Sequence, residues 1–372
     1  MIRLKGKYAE GIVYSDRREE TGIAQIRDLL DQPFAKNGHP RFMPDYHAGL
    51  GSVIGTTLRV TDAVCPNLVG VDIGCGIRTE IFRTDRAPDF PGLDAHIRKE
   101  IPSGFRVHEK ERRMDTLEKL RMRKKLKDPS RLKKSLGTLG GGNHYIEIGG
   151  MEEKGQFALT VHSGSRNLGV QVAEYYQKQA VKQWKGRSDK PPRGLETLSA
   201  SEEMFFDYLH DMKIAADYAA KNRLLMTRVL FDFLEGDRLQ GFDTVHNYIE
   251  IKAEGSHILR KGAVASYAGD ILTIPLNMRD GILICEGLGN PAWNWSAPHG
   301  AGRLMSRSQA RADIPLRAYQ EAMKGIYTTS VHRNTLDEAP HAYKPMEEIV
   351  RLIGETAKIL HHGKPVYNFK AG

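Results

Sequence analysis

The sequence predicts an α+β protein, one large mixed domain over residues 1–372 with central β-sheets and surrounding helices. Short apolar runs that end in glycine or a polar residue have the length and composition of buried strands. Longer segments elsewhere repeat apolar residues at helical spacing. The two kinds do not alternate regularly, which favours α+β over a doubly wound sheet. No solenoid-length repeat and no low-complexity linker divides the chain.

Along the chain, NLVGVDIG (67–74), QFALTVHSG (156–164) and ILTIPL (271–276) read as buried strands, each delivering a polar residue at its end. The stretch VHEKERRMDTLEKLRMRKKLKDPSRLKK (107–134) is strongly basic and predicts a helix that Pro129 stops. It reads equally as a solvated helix face or as a phosphate-binding surface. Residues 170–184, 204–234 and 346–360 each carry an apolar helical face. GRSDKPPRGLETLSA (186–200) reads as an exposed loop.

The bulk numbers bound the function. The sequence has 372 residues, 40% hydrophobic and 27% charged, enough for a substantial core. No apolar run approaches the ~20 residues that span a bilayer, and MIRLKGKYAEG lacks the apolar core of a signal peptide, so the expected location is cytoplasmic, with no membrane partner. A net charge of +9 is compatible with a polyanionic partner. Three cysteines, Cys65, Cys75 and Cys285, are too few for a disulfide framework. Fourteen histidines direct attention to metal binding or catalysis.

Five segments place His or Cys beside glycines and small polar residues. In VDIGCGIR (71–78), Asp72 and Cys75 would suit a borderline metal such as zinc or manganese, or form a turn with a buried cysteine. In GTLGGGNHYIE (137–147), an extended backbone would turn Asn143 and Glu147 one way and His144 the other. The glycines could cradle a phosphate, but no GK[ST] follows as in a P-loop. In TVHSGSRNLG (160–169), His162 ends a strand, and Arg166 and Asn167 precede a helix that opens at about Leu168, either an anion site or an ordinary cap. DTVHNYIE (243–250), with His246 and Asn247, says little alone. In SAPHGAGRLMSRSQA (296–310), His299 and Arg303 sit in a small-residue turn that the sequence continues as a helix, a setting suited to phosphate.

MPDYHAGLGSVIG (43–55), GVDIGCGIR, GTLGGGNHYIE, VHSGSRNLG, HNYIE, RKGA (260–263), HGAGR and DEAPHAYK (337–344) together resemble the RtcB RNA ligases, in family order over nearly the whole chain. The resemblance implies an RtcB-like fold, a pair of manganese ions and GTP as cofactors, and an RNA partner with 3′-phosphate or 2′,3′-cyclic phosphate and 5′-hydroxyl ends, as in tRNA or rRNA fragments. It implies Asp72, Cys75, His144, His162 and His246 as metal ligands, with Cys75 bridging, and His299 as the histidine that carries GMP. It implies nucleotide contacts at Asn143, Glu147, His246, Asn247, Asn277, Ala301, Gly302, Tyr343 and Lys370, the C-terminal tail closing the pocket. Asp45, His47, Arg166 and Asn167 would lie along the RNA. The expected assembly is a monomer. Where the family usually carries a PGSMGT-like loop, this chain reads IPLNMRDG (274–281), and NPAWNWSAP before HGAGR is also unusual. The alternatives are a metal-dependent cyclic phosphodiesterase acting on RNA ends and a non-catalytic RNA-binding paralogue.

Overall fold

The structure is a computed structural model that describes residues 1–86, 88–252, 255 and 257–371. Two sheets organise it. The six-stranded sheet runs in the order Ile2–Lys5, Glu10–Val13, Arg41–His47, Ile54–Val60, His257–Lys261, Asn247–Glu250. The seven-stranded sheet runs Asp237–Val245, Gly76–Arg83, Gln156–Ser163, Tyr145–Gly150, Ala357–Lys370, Ile282–Gly287, Ile271–Pro275. Helices pack around both, so the α+β expectation holds.

The alternation of apolar residues explains why these runs are strands. In Gln156–Ser163, Leu159 and Val161 enter the core on one side while His162 faces the opposite way one residue later. The helix Glu203–Leu234 spans both main cores. Its Tyr208, Met212, Ala215 and Tyr218 pack beside the six-stranded sheet, and Met226 and Leu230 beside the seven-stranded one. No helix among the described residues is long and apolar enough to cross a membrane.

Four sequence expectations are corrected. The basic segment 107–134 is not a continuous helix: it makes short 3-10 turns at Asp115–Lys119 and Arg123–Lys125 before the helix Pro129–Ser135. Pro129 starts that helix instead of stopping an earlier one, because a first-turn residue needs no N–H partner, and the Asp128 carboxylate accepts from Arg131 N at 2.9 Å. Leu117, Leu120 and Met122 anchor the turns in the core, and the Asp211 carboxylate accepts from the N–H groups of Arg121 and Met122. Residues 67–74 form a 3-10 turn and loop instead of a strand, since Gly70 and Gly74 take φ of +92° and +73°. The helix expected over 346–360 ends at Leu352, and strand Ala357–Lys370 begins after the turn at Gly354. In the loop 186–200, the C-terminal part is buried, and Leu198–Ser199 pairs with Ala63–Val64.

Two adjacent residues of the long helix tie the strand ends together. The fully buried Arg223 forks onto the Asp243 carboxylate and donates to the carbonyls of Gly74 (2.8 Å) and Ser163 (2.7 Å). Asn222 accepts from Gly137 N (2.6 Å) and Thr138 N (3.0 Å), and donates to Gly164 O (3.2 Å). Arg223→Leu removes the partner of the half-buried Asp243 carboxylate and of the carbonyls of Gly74 and Ser163. It should lower the unfolding free energy by ~3–5 kcal/mol in urea titration; a loss below ~1 kcal/mol would refute this bracing role.

Candidate metal centre and active-site cavity

The strand ends bring the dispersed histidines together. Gly76–Arg83 pairs with Gln156–Ser163 so that Ile77 faces His162, and Tyr145 faces His162 from the other side. Cys75 and His144 therefore lie just before two strands, and His162 near the end of the strand between them. His246 lies where the chain leaves the seven-stranded sheet at Val245 and enters the six-stranded one at Asn247. Its N–H donates to Cys75 O at 2.9 Å, which pins the crossover to the cysteine loop. Gly164 is required here: a Cβ on it would lie 2.0 Å from Asp72 Oδ1.

Two donor groups result, Asp72–Cys75–His144 and Cys75–His162–His246, with ligand atoms in each within 4.8 Å of one another. They share Cys75 alone. Its Sγ lies 3.3 Å from His162 Nε2 and 3.6 Å from His144 Nε2, and Asp72 Oδ2 lies 3.0 Å from His144 Nε2. The other ring nitrogens are engaged: His144 Nδ1 with Leu139 O at 2.9 Å and His162 Nδ1 with Asn143 O at 3.2 Å. Donation from Nδ1 turns each Nε2 lone pair toward the thiol and carboxylate. Such a convergence of electron-rich atoms needs a cation between them, a proton or a metal ion. Thiolate, imidazole and carboxylate donors suit zinc or manganese, and the shared sulfur allows a pair of ions.

The electrostatics match. Burial pushes the rings of His162 and His246 well below the usual histidine range, and neighbouring rings add to this, so both are neutral. Burial alone would raise the Asp72 carboxyl, but the hydrogen bond and charge of His144 outweigh it and hold it down. Burial raises the Cys75 thiol well above its usual value, and the Asp72 carboxylate raises it further. A metal must therefore displace the thiol proton.

His299 stands beside this centre, its ring centroid 4.9 Å from that of His246. It follows the short strand Ser296–Pro298, which pairs with Ala263–Ala265. Its Nδ1 lies 2.6 Å from Asp45 Oδ2, and its backbone N–H donates to the same oxygen at 3.1 Å. Asp45 was expected near the RNA; it is instead fully buried behind His299, because a carboxylate there fixes the ring and its tautomer. With Nδ1–H given to Asp45, the Nε2 lone pair is free. Gly302 permits this packing, at φ +79° with Asp45 O only 2.3 Å from where a Cβ would stand. The HGAGR turn is not a helix N-terminus: the helix Arg307–Asp313 starts later, where Ser306 Oγ accepts from Gln309 N.

Both groups open on a cavity of about 880 Å³. Asp72, Cys75, His162, His246 and His299 line it, with His47 at one side. All nine expected nucleotide contacts line it too: Asn143, Glu147, His246, Asn247 and Asn277, then Ala301, Gly302, Tyr343 and Lys370. Two of these amides are already engaged. Asn247 accepts from Gly262 N and donates to Asp72 O, and Asn277 caps its own loop through Asp280 and Arg279 N. Arg166 and Asn167 lie outside the cavity wall. The Arg166 guanidinium donates to Thr138 Oγ1 and Gly104 O behind His144, and Asn167 Oδ1 accepts from Gln171. Their helix begins at Arg166, two residues earlier than expected.

The sequence reading did not single out Glu338, Asn368 and Arg307. Glu338 accepts from Lys370 Nζ and Tyr343 Oη, both at 2.7 Å, and pairs with Arg307. Burial would raise its carboxyl, but Lys370 and Arg307 overcome this and hold it at about 2. Asn368 Nδ2 donates to Glu147 at 2.8 Å. Glu338 lies inside the quoted DEAPHAYK segment, and Asn368 two residues before Lys370; strand alternation sends both 368 and 370 to one face, which was the available signal.

A family model described as tRNA-splicing ligase RtcB matches residues 25–130 and 107–371. The chain belongs to the RtcB family. It is 29% identical over 375 residues to RNA-splicing ligase RtcB of Escherichia coli K12, covering 91% of each chain. It is 28% identical over 453 residues to tRNA-splicing ligase RtcB of Nanoarchaeum equitans, covering 96% of this chain and 93% of that one. It is 27% identical to the Pyrobaculum aerophilum tRNA-splicing ligase RtcB, over 83% and 82% of the two chains. The RtcB-family chain is accordingly an enzyme, a ligase.

Two measurements probe this site. Titrating the metal-free protein with zinc or manganese at pH 7 should release about one proton per chain, from Cys75, and affinity should rise with pH by up to about tenfold per unit. Calorimetry in buffers of different ionisation enthalpy reads that proton, and Cys75→Ser should abolish it; release unchanged by the substitution would exclude the thiol as the source. Glu147 is the second. Burial raises its carboxyl from 4.5 to about 8. A raised folded pKa means the protonated form is favoured by folding, so its contribution is full below pH 4.5 and is lost as pH rises toward 8. Across that window wild type should lose up to ~1.4 kcal/mol of stability per pH unit relative to Glu147→Gln. Parallel stability curves for the two proteins would contradict the shift.

Proposed function

We propose that this chain is a GTP- and manganese-dependent RNA ligase that joins a 2′,3′-cyclic phosphate or 3′-phosphate end to a 5′-hydroxyl end through a histidine–GMP intermediate. The observation that carries this reading is the placement of His299, its Nδ1 engaged by Asp45 and its Nε2 free, beside two donor groups that share Cys75 in one cavity. RNA as the substrate follows from family membership and from the names of the relatives.

The residues divide the work. Asp72, Cys75, His144, His162 and His246 would hold the ions, which when bound neutralise phosphate charge at this point. Nε2 of His299 attacks the α-phosphorus of GTP, forming an N–P bond as the bond to pyrophosphate breaks. Asp45 stabilises the positive charge that develops on the ring. Arg303 and Arg307 line the cavity as cations for the departing phosphates. Water first opens a cyclic phosphate to a 3′-phosphate. An oxygen of that 3′-phosphate then displaces His299 from GMP. The 5′-hydroxyl of the second end finally attacks the RNA phosphorus and GMP leaves. Glu147, Asn368, Lys370 and Tyr343 supply donors and acceptors at the cavity wall that suit a guanine base.

Incubation with α-labelled GTP and manganese should leave covalent GMP on the protein. His299→Ala should abolish the label, and Asp45→Asn should slow its formation by about 100-fold or more through loss of the ring's tautomer control. Absence of label on wild type, with cyclic-phosphate opening intact, would favour a phosphodiesterase; RNA binding with neither reaction would favour a non-catalytic paralogue.

A further inference from the structure

Phe105 is used by neither the core nor the cavity. It is 95% exposed, the most exposed large hydrophobic side chain among the described residues. Burying a phenyl ring contributes ~1.5–3 kcal/mol, so a ring left in water on an ordered loop asks for an occupant.

The loop that carries it is firmly held. Gly104 N donates to Gly140 O at 2.9 Å and Leu139 N to Pro102 O at 3.0 Å. The Arg131 guanidinium donates to Phe105 O at 2.6 Å, and that of Arg166 to Gly104 O at 3.2 Å. Arg166 Nη1 lies 3.5 Å from His144 Nδ1, so the strap is one side chain away from a metal-donor residue. It also abuts the start of the glycine-rich turn that delivers Asn143 and His144. Two arginines flank the ring, with the Asp128 carboxylate engaged by the backbone N–H of Arg131. Arg106 and Arg131 are exposed, and neither forms an ion pair among the described residues; their side-chain partners are Ser103 Oγ and Phe105 O.

We propose that Phe105 is a stacking platform for a base of the RNA strand next to its reacting end, with Arg106 and Arg131 on the adjacent phosphates. The inference rests on the RNA-ligase reading and adds a residue that grips the strand outside the nucleotide cavity. An aromatic face beside arginines recognises single-stranded RNA without a demand on sequence. The flanking charges favour a polyanion over an apolar protein surface.

The test is fluorescence anisotropy of a single-stranded RNA bearing a 3′-phosphate, with wild type, Phe105→Ala and Phe105→Trp. A ring this exposed can be removed without touching the core. Phe105→Ala should raise Kd by about tenfold or more, ~1.4 kcal/mol, and Phe105→Trp should restore binding. In an RNA series with one of the three terminal nucleotides abasic, one position should erase the difference between wild type and Phe105→Ala. GMP labelling should be equal in all three proteins, since Phe105 does not line the nucleotide cavity. Unchanged RNA affinity in Phe105→Ala overturns the proposal, as does an equal loss on every abasic RNA. Unchanged RNA affinity with loss of self-association in sedimentation would assign the ring to a second copy and overturn it too. If wild type takes no GMP label, the ligase reading falls, while a base-dependent loss in Phe105→Ala still upholds the platform.

Discussion

The buried guanidinium of Arg223 joins the loops and strands on which the metal donors sit. One side of it reaches Gly74 O, next to Cys75, and Ser163 O, next to His162; the other forks onto Asp243, three residues before His246. Strand ends leave backbone carbonyls without ladder partners, and burial makes an unpaired carbonyl costly. A single planar cation with several fixed donors satisfies these carbonyls at once, and Asp243 offsets its charge. Asn222 does the same for the glycine-rich turn. The donor geometry is thus inherited from the long helix.

That bracing permits a centre that is unfavourable by itself. Neutral imidazoles, a high-pKa thiol and a carboxylate are packed in a buried place, with the ligand atoms of each donor group within 4.8 Å of one another. Their mutual repulsion favours a bound cation, and the carbonyls of Leu139 and Asn143 keep the rings of His144 and His162 turned toward it. His299 is kept out of this set by Asp45, which takes its Nδ1 and leaves Nε2 toward the cavity. A histidine beside five donors is thereby left available to the cavity instead of joining them as a sixth ligand.

The cavity wall shows how the altered IPLNMRDG loop is accommodated. Asn277, Arg279 and Asp280 bond chiefly to one another, and Met278 packs against Tyr319. Its polar groups are largely self-satisfied. Elsewhere on the wall, Glu338, held charged between Lys370 and Arg307, and Glu147, bonded by Asn368, carry the stronger polar contacts. The two buried carboxyls differ for a stated reason: Glu338 has cations in contact, whereas Glu147 has an amide.

The sequence alone determined the α+β class, the long helices, the strands at 156–164 and 271–276, and the set of candidate donors, because periodicity and glycine-flanked histidines are local signals. It misjudged segments where long-range contacts outweigh local preference: the basic stretch, pinned by Asp211 and core leucines, and the run after Gly354, drawn into a sheet. Family resemblance, not spacing, nominated the site residues as one set. Tertiary structure alone decided that Cys75 belongs to both donor groups, that Asp45 stands behind His299, and that Glu338 and Asn368 face the cavity. These facts depend on register between strands far apart in the chain, which no local pattern encodes.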